Sequence, residues 1–184
     1  MRFKFDIALS DNDYFDYNVF MVMKSPYGKK QIIKFRVIIA VMLLAFCFIS
    51  LWGGGFTAEA FLGIIPYLAM LVLAEILFAP MFAWVLKSQI RSLKKSGKMP
   101  YSPSARIEFF DDELIEISEE NKIESKYSSI ERVSVISGKT VYIHVNNAMS
   151  YILPRACFES EERFGEFLAF IKTKCENIDL YKKI

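Results

Sequence analysis

The chain has 184 residues and a formal net charge of +2, and 53% of its residues are hydrophobic. A length of this kind predicts one or two domains, and a charge so close to zero gives no support for a nucleic-acid-binding protein. The three cysteines, Cys47, Cys157 and Cys175, form no CxxC pair, which argues against a zinc site or a disulfide framework.

Residues 1–31 are predicted to form a cytoplasmic strand followed by a helix. The segment FKFDIAL, residues 3–9, alternates as a strand does, and Ser10 with Asp13 resembles a capping box. YFDYNVFMVMK, residues 14–24, is predicted to be helical. Acidic and basic residues run through this region, so it lacks the apolar core of a signal peptide. The sequence leaves open whether the strand joins a later sheet.

Residues 32–86 are predicted to form a transmembrane helical hairpin. They contain two apolar runs, 37–56 and 60–86, separated by a short linker rich in glycine. About 20 apolar residues suffice to cross a bilayer core roughly 30 Å thick. Neither run has the polar face of a helix on the surface of a soluble protein. The short linker makes the two helices antiparallel neighbours.

Basic residues flank the hairpin, whereas the loop between the helices has none. Those before the first apolar run are Lys29, Lys30, Lys34 and Arg36. Those after the second run are Lys87, Arg91, Lys94, Lys95 and Lys98, in a juxtamembrane linker predicted over residues 87–99. The positive-inside rule therefore predicts a multi-pass protein of the cytoplasmic membrane with both termini in the cytoplasm. The second basic group is either a topology signal alone or also a contact for anionic lipid headgroups.

Glu75 is the one charged residue within the second apolar run. Cys47 and Ser50 of the first run are expected at a comparable depth and are candidate contacts. Neither is basic, so no internal ion pair is expected. Intramembrane acids often have a role, and three roles stay open. Glu75 could bond to the first helix, pair with another subunit or partner protein, or line a proton or substrate path.

Residues 100–184 are predicted to form a cytoplasmic antiparallel β-domain with a C-terminal helix. Short alternating segments such as ARIEFF, LIEIS, ERVSVIS and TVYIHV are typical of strands. Ile115 and Ile117 are expected on one face of the second of these. Turns are predicted at residues 111–112, 137–139 and 146–147. Ser160 is a good N-cap for a final helix, which is expected to end the chain.

No catalytic motif is found in the sequence. It has no phosphate-binding loop, HExxH, GxSxG or dinucleotide fingerprint. The single histidine, His144, is interpreted as a packing or surface residue, since a metal site needs more ligands. We therefore expect a protein that is not an enzyme and that binds no cofactor or metal.

Several short segments together resemble the YcxB-like family of bacterial membrane proteins. They are DYFDYNVF, PYSP, FFDDELIEI, KYSSIERV and YILPRACF, placed around the two spans and before the final helix. The resemblance implies a C-terminal domain similar to bacterial pleckstrin-homology-like (PH-like) folds, a strongly bent sheet capped by a helix. It implies no enzymatic activity. The predicted fold class is thus an α+β membrane protein with a two-helix hairpin and a PH-like cytoplasmic domain.

Two functions from different classes fit these features. The first is a membrane-anchored interaction module that binds a protein, a peptide or a lipid headgroup beside the membrane. The second is a small transport or channel component assembled by oligomerisation of the hairpin around Glu75. The expected partners are the bilayer, including anionic lipid, and either a second protein or further copies of the chain.

Overall fold

The computed structural model describes residues 1–55, 57–97, 102, 104–119, 121–136, 140–146 and 149–182. It is an α+β structure that divides into two compact units. The first unit contains residues 1–18 and 93–184, and the second contains residues 19–92. The helices are α1 (Asp11–Met23), α2 (Pro26–Gly54), α3 (Ala58–Ser96) and α4 (Glu161–Lys174). The strands are β1 (Phe3–Ala8), β2 (Ser104–Phe109), β3 (Glu113–Ser118), β4 (Lys122–Lys126), β5 (Arg132–Ile136), β6 (Thr140–His144), β7 (Ser150–Pro154) and β8 (Ile178–Tyr181).

The first unit contains two four-stranded sheets. One has the strand order β1-β2-β3-β4 and the other β7-β6-β5-β8. The predicted antiparallel pairing is confirmed for all described strand pairs except β5 with β8, which is parallel. The N-terminal strand does join the C-terminal sheet, with Phe3 opposite Phe109 and Ala8 opposite Ser104. Two strands that are neighbours in space are therefore separated in sequence by α1, α2 and α3.

Strand β1 is held to β2 by burial on one face and by an ion pair on the other. Phe3, Phe5 and Ile7 are buried in the core of the unit, as the alternation of the sequence requires. On the exposed face, the Arg106 guanidinium donates a 2.8 Å hydrogen bond to Asp6 and lowers the pKa of that carboxyl. The N-terminal strand is thus an integral part of the domain.

Helix α4 closes the core with two fully buried side chains, Phe167 and Ile171. Its predicted N-cap is confirmed, because the Arg163 amide donates to the Ser160 hydroxyl at 3.1 Å. The expectation that this helix ends the chain was wrong. The chain reverses at residues 175–177 and adds β8 beside β5, with the Val133 amide donating to the Asn177 carbonyl.

The inward face of β3 differs from the expected one. Leu114 is fully buried in the core, whereas Ile117 is 36% exposed; Ile115 is buried, at 9% exposure, but does not belong to the core cluster. The bend predicted at residues 111–112 is present, and it places Leu114 opposite the buried Phe109. A residue opposite a core residue on the neighbouring strand shares its face. The predicted turn at residues 137–139 and Asn147 of the turn at 146–147 lie outside the described residues.

The second unit contains most of the helical hairpin, and its helices extend beyond the apolar runs. Helix α2 begins at Pro26, where Ser25 accepts a hydrogen bond from the Gly28 amide at 2.9 Å. Helix α3 continues without interruption through residues 87–96, which were predicted as a linker. Both helices are long and apolar enough to cross a bilayer. Helix α3 accommodates Pro66 and Pro80 in its interior.

Gly28 is required where the chain passes from α1 into α2. A methyl group placed on it would lie 2.1 Å from the Met21 carbonyl oxygen and 2.2 Å from that of Val22. Both are backbone atoms, which cannot move aside as a flexible side chain can. Any larger residue at this position would therefore force the backbone of the turn between these helices to shift.

Candidate functional site

Three contacts fix which residues of α2 and α3 face each other. Phe35 meets Phe78 with ring centroids 6.5 Å apart, and Phe46 stacks on Tyr67 at 6.2 Å. Between these levels of the hairpin, the Arg36 guanidinium lies 2.9 Å from the Glu75 carboxylate. In every pair the two residues are about equally far from the loop, as an antiparallel hairpin with a short turn requires.

Glu75 therefore has a basic partner within its own hairpin, contrary to the expectation that no ion pair is available. The two side chains are 49% and 44% exposed for Arg36 and Glu75 in the folded chain. The pair is not evident from the sequence, because Arg36 stands among the flanking bases and nothing local places it opposite Glu75. At about 1.5 Å per residue, Glu75 lies roughly 26 Å from the loop end of α3.

Cys47 and Ser50 are not neighbours of Glu75. Each is within eight residues of the loop end of α2, which is about 10 Å or less along the helix. The contacts above place Cys47 level with residues 64–66 of α3 instead. Its side chain is buried, and that of Ser50 is half-buried. Glu75 therefore lies at one level of the hairpin, and Cys47 and Ser50 lie at another, nearer the loop.

The basic residues predicted to contact lipid headgroups differ in their surroundings. Lys87, Arg91 and Lys95 are exposed on α3. Lys94 forms a 2.6 Å salt bridge with Asp11 at the start of α1. Lys98 lies outside the described residues. The predicted set is therefore not one uniform basic surface.

In the first unit, a chain of polar side chains joins α1 to the second sheet. The Tyr17 hydroxyl donates to the Ser150 hydroxyl at 2.9 Å, and Ser150 lies 2.8 Å from Nδ1 of His144. Nε2 of His144 lies 3.1 Å from the Ser134 hydroxyl. The Tyr17 ring also meets the buried Tyr142 ring edge-on at 5.3 Å. These contacts attach α1 to the outer face of the sheet formed by β5, β6 and β7.

Burial controls the chemistry of the titratable groups in this unit. It lowers the pKa of His144 to about 4, so the ring is neutral at neutral pH. It raises the pKa of the Cys157 thiol to about 12, so the reactive thiolate is scarce. Among the described residues, no group of three His, Cys, Asp or Glu side chains is arranged to hold a metal ion.

An open groove of about 390 Å³ lies between the start of β1 and the end of α4. It is lined by Arg2, Phe3, Asp111, Phe170, Thr173 and Lys174. Arg2 and Asp111 form a 2.8 Å ion pair across it, and the Lys174 ammonium lies 5.7 Å from the centre of the Phe170 ring. The groove therefore presents both signs of charge beside an aromatic surface.

Comparison with known proteins gives a match within the first unit. Residues 109–171 match the model of the YcxB-like protein family. The match confirms the resemblance over the stretch from the last residue of β2 to Ile171 of α4. No curated protein and no solved structure matches the chain.

The YcxB-like segment does not contain all the parts of the folded unit. Strands β1 and β8, most of β2, and helix α1 lie outside it. Even so, Phe3 and Phe5 of β1 contact the Phe167 ring of the YcxB-like segment, with centroids 5.4 and 5.1 Å apart. The first residues of the chain therefore complete the core of the YcxB-like segment.

Proposed function

We propose that this protein is a membrane-anchored interaction module, with α2 and α3 crossing the bilayer and the β-domain binding a partner beside it. One observation carries the proposal. Strand β1 precedes the hairpin and β2 follows it, and the two pair over six residues. A sheet cannot be shared across a bilayer, because its hydrogen-bonded strands must be adjacent. The pairing therefore supports two crossings that return the chain to its starting side.

The basic flanks support the cytoplasmic side for both termini. Bases occur on α2 before its apolar stretch and on α3 after its own, and the sequence between the two helices has none. Cytoplasmic ends of spans carry such an excess of Lys and Arg. The location that follows is the cytoplasmic membrane.

We also propose that the β-domain is PH-like, with the hairpin inserted between its first two strands. The resemblance to YcxB-like proteins implies this fold. Two sheets that share one core, with the C-terminal helix α4 against that core, support it. The parallel strand β8 is an addition to the pattern that the resemblance implies.

The groove beside β1 and α4 is the part of the domain that suits a protein or peptide ligand. Its ion pair and its aromatic wall offer charge recognition next to apolar contact, which is the usual composition of such sites. The proposal assigns no catalysis to the domain. The buried neutral His144 and the high pKa of Cys157 support that part.

Site-specific photo-crosslinking in native membranes tests this function. A photoreactive residue replacing Thr173 in the groove should give a discrete adduct with another protein. The matched control replaces Lys122, an exposed residue on β4. Adducts at both positions with the same yield, or none at Thr173 beyond the chain itself, would contradict the proposal.

The transport or channel alternative rests on Glu75. The Arg36 partner supplies a reason for this acid that needs no pore. Replacing Glu75 by Gln in reconstituted vesicles should therefore leave ion and proton flux at the level of protein-free vesicles, as in the parent chain. A flux in the parent chain that the variant lacks would favour the alternative.

A further inference from the structure

We propose that α2 binds anionic phospholipid through Lys30 and Lys34, on the face of the helix turned away from α3. The site differs from the basic segment of α3 that the sequence suggested. It rests on the proposed crossing of the bilayer by the hairpin, and it adds which lipid chemistry the hairpin recognises and where.

The contacts with α3 define the two faces of α2. Phe35, Arg36 and Phe46 all meet side chains of α3. Successive residues of an α-helix are about 100° apart around its axis. Lys30 and Lys34 therefore lie roughly 180° and 140°, respectively, from the mean direction of the α3-facing side chains. They are one helical turn apart and share this outer face.

The same outer face continues as an apolar surface. Val37, Val41, Phe48 and Trp52 lie within about 40° of the mean direction of the two lysines in projection. These four side chains are 56%, 60%, 61% and 80% exposed. From Lys34 to Trp52 the helix rises roughly 27 Å, close to the 30 Å thickness of a bilayer core. The face thus has cations at one end, the Trp52 indole at the other and exposed apolar side chains between them.

Charge complementarity selects an anionic headgroup as the occupant. Lys30 and Lys34 are exposed, and in the described part of the chain neither forms a salt bridge. Lys94 of the predicted headgroup set is paired with Asp11. At the same level of the hairpin, the negative charge of Glu75 is already paired with Arg36. An excess of positive charge therefore remains on α2.

The lysine side chain suits a phosphate at this depth. Its apolar stem can lie along the helix while the ammonium reaches the headgroup region. A soluble anion could meet the ammonium groups, but it would gain nothing from the apolar surface that continues from them. The combination of two cations and a bilayer-long apolar stripe therefore fits a phospholipid.

Spin-labelled lipids in reconstituted vesicles measure this preference. The full chain is placed in phosphatidylcholine vesicles that contain a trace of spin-labelled phosphatidylglycerol or phosphatidylcholine. The motionally restricted fraction gives the relative association constant of the two lipids. We expect phosphatidylglycerol to be preferred by about 30-fold at low salt, or roughly fivefold per lysine.

The double substitution Lys30→Gln and Lys34→Gln should bring the two lipids to nearly equal association. Lys122→Gln with Lys126→Gln is the matched control, since it removes the same charge from exposed positions on β4. It should keep the preference. Soluble glycerol phosphate should not displace the lipid; displacement by it would assign the site to a free phosphate and overturn the proposal.

Insertion is measured in the same samples by flotation and resistance to alkaline extraction. A chain that does not insert would contradict the proposed membrane function itself. A chain that inserts but shows no preference for phosphatidylglycerol, or keeps the preference in the Lys30 and Lys34 variant, would overturn this inference alone.

Discussion

Truncation of Phe5 in the N-terminal strand should strongly destabilise the β-domain. The side chain is buried, and its ring lies 4.8 Å from the Phe158 ring and 5.1 Å from the Phe167 ring, measured between centroids. Removing a phenyl group from a packed core costs about 3–5 kcal/mol. Phe5→Ala should fall within this range, because the aromatic pairs add to the loss of apolar contact.

Alkylation of Cys175 measures this loss in the full chain. The thiol is buried in the same core. With Cys47 and Cys157 replaced by serine, Cys175 is the single thiol and labels only when the domain opens. When closing is faster than labelling, the rate follows the open population. A change of 3–5 kcal/mol should therefore speed labelling by roughly 10²- to 10³-fold or more.

Lys4→Ala is the control, because Lys4 lies on the exposed face of the same strand. It should change the labelling rate little, as surface substitutions usually alter stability by less than about 0.5 kcal/mol. Equal labelling of the Phe5 and Lys4 variants would refute the conclusion that β1 belongs to the core of the domain.

Three further predictions concern the hairpin, the buried histidine and the turn between α1 and α2. Arg36→Glu should place two carboxylates together and speed N-ethylmaleimide labelling of Cys47, whereas adding Glu75→Arg should restore protection; labelling unaffected by the first change would argue against the pair. In the folded domain the pKa of His144 is about 4, below its ordinary value of 6.5. The unfolded chain therefore binds a proton at His144 as the pH falls below 6.5 while the folded domain does not, so the free energy of unfolding should decrease between pH 6.5 and pH 4. Urea unfolding should show a decrease of about 3 kcal/mol in the free energy of unfolding of the parent chain and a flatter pH profile for His144→Gln. Identical profiles for the two chains would contradict the conclusion that His144 is buried and neutral. Gly28→Ala should lower the thermal unfolding temperature in detergent, since its methyl group meets backbone oxygens; an unchanged temperature would show that the close approach is absent.

The sequence was most informative where a single local pattern determines the structure. The alternation of FKFDIAL predicted β1, and Ser10 with Asp13 does form a reciprocal cap, with the Ser10 amide donating to the Asp13 carboxylate at 2.9 Å. The two long apolar helices were likewise predicted from composition and length. These features depend on neighbours only a few residues apart, so they can be read from one sequence.

Features that depend on distant partners could not be read in this way. The pairing of β1 with β2 joins residues about 100 positions apart, and nothing local in FKFDIAL names that partner. The parallel strand β8 was missed because the short segment after α4 becomes a strand only beside β5. Short strands of this kind depend on their pairing more than on propensity.

The surroundings of Glu75 were predicted only in part, because they depend on the register of α2 against α3. Glu75 was identified by its charge, but its partner depends on where the turn between α2 and α3 begins. Placing Glu75 by its position within the apolar run put it at the level of Cys47, whereas the hairpin puts it opposite Arg36. A shift of several residues along a helix changes both depth and facing side.

The sidedness of the hairpin is the most direct test of the membrane-anchored module. Single cysteines replace Thr57 in the loop and Lys172 on α4, in a chain whose native cysteines are serine, and a membrane-impermeant thiol reagent is added to intact cells and to inverted vesicles. Labelling is expected at position 57 only in intact cells and at position 172 only in inverted vesicles. Labelling of both positions from the same side would contradict it.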